Sequence, residues 1–166
     1  MIELKTDKSV AHNYKNYDLV LIGVDTHNVM GRGFLLHIAR KYPDVKTAVR
    51  KTRYGDGNKL GTAIECPIED GPTFVIAFIT EGNYTPYDRD VLKYEKLEDC
   101  LKYINVMYRG KTMCCTLIGT NHYDGHGDEK RVEEMFRTHL TNLDVTIFKD
   151  RFDKPNKKLK KNVNQN

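Results

Sequence analysis

The sequence contains no tryptophan and only four cysteines among its 166 residues. Four cysteines, of which Cys114 and Cys115 are adjacent, are too few for a disulfide scaffold, so we expect reduced and buried thiols. The longest apolar runs, such as Phe74–Ile79, are far shorter than the ~20 residues that cross a bilayer. No basic segment followed by an apolar stretch opens the chain, so we expect no signal peptide. These absences predict a cytoplasmic protein, in the host cytoplasm if the source is a virus, with no membrane partner.

Charge is distributed unevenly along the chain, whose formal net charge is +4. The last eighteen residues, from Lys149, carry seven basic and two acidic side chains, which leaves a net charge of −1 for the preceding 148 residues. A nucleic-acid-binding domain normally carries its basic residues on the folded body. We therefore expect one domain over residues 1–149 and a solvated, disordered basic tail over 150–166, with contact of that tail to polyanions as the alternative.

Apolar periodicity predicts alternating strands and helices, which is typical of an α/β layered domain. Continuous apolar runs and alternating stretches predict strands, and apolar residues three and four apart predict helices. The strands are predicted at Met1–Lys5, Leu19–Gly23, Thr62–Pro67, Phe74–Thr80, Met113–Ile118 and Val145–Phe148, and the helices at Gly33–Tyr42, Val45–Arg53, Leu97–Tyr108 and Asp128–Leu140.

Two loops share one pattern, in which a buried strand ends in glycine, a polar glycine-bearing loop follows, and a helix begins. The first spans Gly23–Gly33 and the second spans Gly119–Gly127. Ligands of open α/β sheets collect beyond the carboxyl ends of strands, where main-chain N–H groups and helix N-termini converge. Glycines allow a close approach of the main chain to a phosphate. Two such loops could hold a pyrophosphate from both sides, although each loop alone is also ordinary turn chemistry.

The segment Met30–Pro43, with the sequence MGRGFLLHIARKYP, resembles the macro-domain pattern Met-Gly-x-Gly, followed by an apolar helix and an aromatic-Pro stop. The resemblance covers roughly residues 1–149 and is strongest for the subgroup of ADP-ribose-1''-phosphate phosphatases and ADP-ribosyl-ester hydrolases. Further matches occur in order along the chain, at Ile79-Thr80, Asn83-Tyr84, Tyr94–Leu97 and Leu117–Gly119.

This resemblance implies an α/β, macro-domain-like three-layer sandwich with a mixed central sheet flanked by helices, and an ADP-ribose site at the strand ends. Asp7 matches the acidic residue that accepts a hydrogen bond from adenine, with a turn or cap role as the alternative. The remaining implied ligand-binding residues lie in the two loops. The first loop matches the one that passes beside the distal ribose and the diphosphate, with Asn28, Met30, Gly31, Arg32 and Gly33. The second matches the loop that holds the phosphates, with Gly119, Thr120, Asn121, Tyr123 and Gly125.

Departures from the family pattern bear on the chemistry. One branch of the family attacks the distal ribose with a lysine directly after the Ile-Thr pair, a position that Glu81 holds here. Hydrolysis would therefore use water. Asp124 matches a loop aspartate of family hydrolases, and His122 and His27 are the other candidates to move a proton near neutral pH. A cap role for Asp124 is the alternative.

The resulting hypothesis is a hydrolase that removes a phosphate or an ester-linked ADP-ribosyl group at the distal ribose. The alternative is a non-catalytic reader of ADP-ribosylated protein or nucleic acid. We expect no cofactor and no metal, because the spacing of His122 and His126 with Asp124 and Asp128 does not define a coordination geometry.

Overall fold

A six-stranded mixed sheet forms the centre of the protein in a computed structural model that describes residues 1–82, 88, 91–121 and 125–149. The strand order is β1-β6-β5-β2-β4-β3. All neighbouring strands run parallel except β3, which pairs antiparallel with β4 at the edge. The strands are β1 (Ile2–Lys5), β2 (Leu19–Asp25), β3 (Ala63–Pro67), β4 (Thr73–Thr80), β5 (Thr112–Cys115) and β6 (Asp144–Phe148).

Helices connect the strands and cover both faces of the sheet. Short 3₁₀ turns at Tyr14–Asn16 and Gly57–Lys59 complete the connections. The α-helices are α1 (Val10–Asn13), α2 (Gly33–Lys41), α3 (Pro43–Arg50), α4 (Tyr94–Met107) and α5 (Glu129–His139).

Alternation along β2 divides the core into two layers. Leu19 and Leu21 point to a cluster that includes the apolar residues of α4 and α5. Val20, Ile22 and Val24 point to the opposite face, where α1, α2 and α3 contribute their buried residues. Every second residue of a strand lies on the same face, so a continuous apolar strand requires cover on both sides. The predicted three-layer sandwich with a mixed central sheet is confirmed.

Several element bounds differ from the predictions. β5 ends at Cys115, although Leu117 and Ile118 are buried, because the chain turns at this point and Ile118 N donates to Thr116 O at 2.9 Å. α3 begins at Pro43, earlier than predicted, because proline has the φ angle of a first helical turn. α4 begins at Tyr94, three residues before the predicted start at Leu97. The centroid of the Tyr94 ring lies 3.7 Å from the guanidinium carbon of Arg131 in α5.

The cysteine prediction is confirmed, since all four cysteines are free and buried. Burial raises the pKa of Cys100 and that of Cys114 to about 12, so both thiols stay protonated at neutral pH. In the described part of the chain, no helix has both the length and the apolar character needed to cross a membrane. The predicted tail, 150–166, lies outside the described residues.

Candidate functional site

Parallel pairing brings the two glycine-bearing loops to the same edge of the sheet. β2 pairs with β5 on one side and with β4 on the other. The carboxyl ends of all three strands therefore lie at the same edge of the sheet, where ligands of open α/β sheets bind. Each loop was predicted from local sequence, but their adjacency follows only from the strand order.

The first loop is held by the carboxylate of Asp25, the last residue of β2. Asp25 Oδ1 accepts hydrogen bonds from the main-chain N–H of His27 at 2.9 Å and of Val29 at 3.2 Å. Burial raises the pKa of Asp25, while those two hydrogen bonds and the nearby His27 and Lys59 lower it. This partly buried carboxylate therefore serves as the anchor of the loop.

His27 is oriented by the chain after β4. Its Nδ1 and the Thr26 hydroxyl both lie within hydrogen-bond distance of the main-chain oxygen of Glu81. A carbonyl oxygen only accepts hydrogen bonds, so the Nδ1 that meets it carries a proton, and the tautomer compatible with this contact has its lone pair on Nε2. The ring of Tyr54 packs edge-on against the imidazole, with centroids 5.0 Å apart. The Glu81 carbonyl and the Tyr54 ring thus fix the orientation of the imidazole.

Asn28 adopts a left-handed conformation, with φ of 60°, and its carboxamide turns toward the end of α3. Asn28 Oδ1 accepts from Lys59 Nζ at 2.8 Å and from Thr52 Oγ1 at 3.2 Å. Lys59 was not among the predicted site residues. A lysine inside the turn-rich sequence GDGNKLG resembles a solvated loop residue, and no local signal shows that its ammonium is buried.

The predicted residues Met30, Gly31, Arg32 and Gly33 link this loop to α2. Met30 is buried in the core on the α2 side of the sheet, so its side chain anchors the loop, whereas Gly31 and Arg32 are exposed. Gly33 has a φ of 54°, where α2 begins. The N-cap residue Arg32 makes no capping hydrogen bond through its side chain. The first N–H groups of a helix have no partners within the helix, and its positive end favours anions.

The second loop closes on itself at a narrow base. Gly127 N donates to Gly119 O at 2.8 Å, and His126 N donates to Asn121 O at 3.2 Å. Asn121 and Gly125 form an isolated β-bridge. A Cβ at Gly125 would lie 2.7 Å from Gly119 O, and φ is 94° at this residue, so glycine is required there. The structure thus places Gly119, Asn121 and Gly125 together.

Other predicted residues lie in or near the same region. Thr120 Oγ1 donates to Leu117 O at 2.6 Å and closes the turn after β5. Asp7 is exposed beyond the carboxyl end of β1, at the same edge of the sheet. His122, Tyr123 and Asp124 lie outside the described residues, as do Asn83 and Tyr84. Among the described residues, no group of three or more His, Cys, Asp and Glu side chains could hold a metal ion.

Solved structures share this architecture. The macrodomain of Mycobacterium tuberculosis DarG superposes with a TM-score of 0.67 at 18% sequence identity, over 91% of this chain and 99% of that chain. The chain has the macrodomain fold. The sequence matches no family model and no curated protein.

Two further macrodomain-fold structures are complexes with ADP-ribose. Thermosipho africanus DarTG, in complex with ADP-ribose, has a TM-score of 0.67 at 14% identity, over 95% of this chain and 44% of that chain. The Trypanosoma brucei macrodomain, also in complex with ADP-ribose, has a TM-score of 0.57 at 15% identity, over 89% of this chain and 62% of that chain. These likenesses establish the fold of this chain.

Proposed function

We propose that this macrodomain-fold protein binds ADP-ribose in the cleft between its two glycine-bearing loops. The observation that carries the proposal is the pairing of β2 with β5, which brings the loops after these two strands to the same edge of the sheet, where the first loop leads into the N-terminus of α2. Main-chain N–H groups and a helix N-terminus together suit a diphosphate. The ADP-ribose complexes of two similar structures support the choice of ligand.

We further propose that the protein hydrolyses a phosphate or ester group from the distal ribose with an activated water. Asp124, His122 and His27 are the candidates to accept the proton of that water. His27 has the geometric support, because its Nδ1–H is held by Glu81 O and its Nε2 carries the lone pair. Main-chain N–H groups of the loops would stabilise the negative charge that develops on a phosphoryl or acyl oxygen.

A non-catalytic reader of ADP-ribosylated protein or nucleic acid is the second candidate. Glu81 favours it, because the resemblance places a nucleophilic lysine at this position in one branch of the family. In this protein the main-chain oxygen of Glu81 serves to orient Thr26 and His27. The reader would use the same cleft without turnover.

Calorimetric titration with ADP-ribose, followed by a phosphate-release assay on ADP-ribose-1''-phosphate, tests these proposals. Binding with release of phosphate supports the hydrolase. Asp124→Ala should then retain affinity and lose turnover, whereas full turnover would contradict its role. Binding without release, extended to an ester-linked ADP-ribosyl peptide with the same result, supports the reader. No heat of binding and no competition with a labelled ADP-ribose would contradict both functions.

A further inference from the structure

Lys59 is a buried lysine beside the proposed ligand cleft, with 8% of its surface exposed. It ends the 3₁₀ turn Gly57–Lys59, which follows Asp56, whose Oδ1 accepts from Asn58 N at 2.9 Å. Its ammonium also lies 4.8 Å from the centroid of the Phe78 ring. The turn and the aromatic ring together direct the side chain inward.

The Lys59 ammonium has an acceptor for each of its three N–H groups. Nζ donates to Thr26 O at 2.8 Å, to Asn28 Oδ1 at 2.8 Å and to Thr52 Oγ1 at 3.2 Å. Burial lowers the pKa of Lys59, while Asp25 and Asp56 oppose that shift. The net effect is a lowered pKa, so the three hydrogen bonds and the two carboxylates offset only part of the cost of burying the ammonium.

This ammonium determines which way the Asn28 carboxamide faces. Lysine donates hydrogen bonds and accepts none, so the group of Asn28 that meets Nζ must be the oxygen. Asn28 Nδ2 donates to Thr52 O at 3.4 Å, and Thr52 Oγ1, whose single proton also has Val49 O at 2.5 Å, lies 3.2 Å from the Asn28 oxygen. An amide nitrogen carries two hydrogens. The second one remains for a ligand acceptor, such as a ribose hydroxyl.

A purely structural role explains the lysine less well. The Thr26 carbonyl already accepts from Gly55 N at 2.7 Å, so the main chain at this point has a second partner. Burying an ammonium costs free energy, and an apolar side chain of similar size would pack without that cost. The presence of a lysine at position 59 is therefore better explained by its hydrogen bond to Asn28 Oδ1, which orients the Asn28 carboxamide.

We propose that Lys59 is a positioning residue of the ADP-ribose site, which holds the oxygen of the Asn28 carboxamide so that its amide nitrogen donates to the distal ribose. This inference rests on the proposed function. ADP carries the adenosine and the diphosphate but no distal ribose, so comparing its affinity with that of ADP-ribose isolates the contribution of the distal ribose. Lys59 therefore contributes to binding of ADP-ribose and not to binding of ADP.

The test compares ADP-ribose with ADP by calorimetry on the full chain. Lys59→Met removes all three donors at similar side-chain length and should weaken ADP-ribose binding tenfold or more, with ADP affinity within twofold of the wild type. Lys59→Arg retains donors and charge and should restore most of the ADP-ribose affinity. Lys46→Met, which removes an exposed lysine from α3, is the matched control and should change neither affinity.

The outcomes distinguish this inference from the proposed function. Equal loss of both affinities in Lys59→Met, or no loss of either, overturns the positioning role while the wild type still binds ADP-ribose. A wild type that binds neither probe overturns the proposed function and this role with it. If Lys59→Met does not fold, Thr52→Val removes the hydroxyl that accepts from Lys59 Nζ and contacts Asn28 Oδ1. It should lower ADP-ribose affinity selectively, and an unchanged ratio of the two affinities overturns the role.

Discussion

The main-chain oxygen of Glu81 accepts a hydrogen bond from Nδ1 of His27, which joins the end of β4 to the loop after β2. This contact sets the tautomer of the imidazole, because a carbonyl oxygen offers no proton. It also makes the conformation of the chain at residues 81–82 a condition for the orientation of His27. Substitutions at His27 and at Gly82 test these two consequences.

Replacing His27 separates its hydrogen bond to Glu81 from its capacity to accept a proton. The amide nitrogen of asparagine lies where Nδ1 lies in histidine, so His27→Asn should retain the contact and the affinity for ADP-ribose. Since a general base contributes ~10²–10⁴-fold, turnover of ADP-ribose-1''-phosphate should fall by about two orders of magnitude. Steady-state phosphate release and calorimetry on the same samples measure both quantities.

The matched control is His139→Asn, which changes a histidine at the end of α5, near the opposite edge of the sheet. It should leave turnover unchanged. Undiminished turnover in His27→Asn would exclude His27 as the base and leave the role to His122 or Asp124.

Gly82 is required by the His27 ring. Its φ is 81°, and a Cβ there would lie 2.7 Å from His27 Nδ1 and 3.2 Å from Asp25 Cγ. Gly110 has the same φ of 81°, and apart from its chain neighbours no atom of the described residues lies within 4 Å of such a Cβ. A left-handed L residue costs ~1–2 kcal/mol, and overpacking adds roughly 1–3 kcal/mol. Gly82→Ala should therefore lower the free energy of unfolding more than Gly110→Ala does, as urea denaturation measures.

Ligand binding should separate the same two variants. Gly82→Ala displaces His27 and the loop after β2, so ADP-ribose affinity should fall, whereas Gly110→Ala should bind as the wild type does. Equal destabilisation and equal affinity in both variants would show that the site accommodates the added methyl group.

Gly127 closes the base of the second loop without a left-handed conformation. A Cβ at this residue would lie 2.6 Å from Leu92 Cδ2 and 2.8 Å from Gly119 O. The carbonyl belongs to the main chain and cannot rotate away, so Gly127→Ala should destabilise the fold by roughly 1–3 kcal/mol and weaken ADP-ribose binding. A Cβ at Gly57 would have no atom of the described part of the chain within 4 Å apart from its chain neighbours, so Gly57→Ala should be neutral in both assays. Thermal denaturation and calorimetry measure both variants. Unchanged stability and unchanged ADP-ribose affinity in Gly127→Ala would contradict the close approach of Gly127 to the Gly119 carbonyl.

Asp18 gives the protein a pH-dependent contact at the amino end of the sheet. Its Oδ2 accepts from Thr112 N at 3.0 Å and from Thr112 Oγ1 at 3.1 Å. The main-chain hydrogen bond from Thr112 is the largest cause of the lowered pKa of Asp18, with the Thr112 hydroxyl and Lys111 acting in the same direction. A carboxyl whose pKa is lower in the folded state stabilises the protein above its unfolded pKa of about 4. That stability is lost as the pH falls through the lowered folded pKa.

Asp18→Asn should therefore be less stable than the wild type at pH 6 to 7, and the difference should shrink as the pH falls below about 4. Urea denaturation at a series of pH values measures it. Asp70→Asn, which removes an exposed carboxylate from the turn between β3 and β4, is the control for net charge. A difference that stays constant with pH would contradict the role of the Asp18 charge.

Local sequence predicted the layers of the fold well, because a buried strand such as Leu19–Asp25 is apolar on both faces and a helix such as Glu129–His139 is apolar on one. It was less accurate where tertiary packing decides. α1 at Val10–Asn13 is too short for a periodic signal, although Ser9 Oγ accepts from Ala11 N at 3.2 Å. β5 ends at Cys115 because the chain turns there, not because the apolar run stops.

Local sequence patterns specify the individual elements: strands that are covered on both faces, helices with one apolar face, and two glycine-bearing loops placed after strands. Those properties depend on residues that are close along the chain. Only the tertiary structure decided that β2 lies between β4 and β5, which brings the loops together and places Glu81 against His27. It also decided that Lys59 reaches Asn28, 31 residues away. Such contacts join residues that are far apart along the chain, and they form only when helices pack on both faces of the sheet. A local sequence pattern therefore does not predict them.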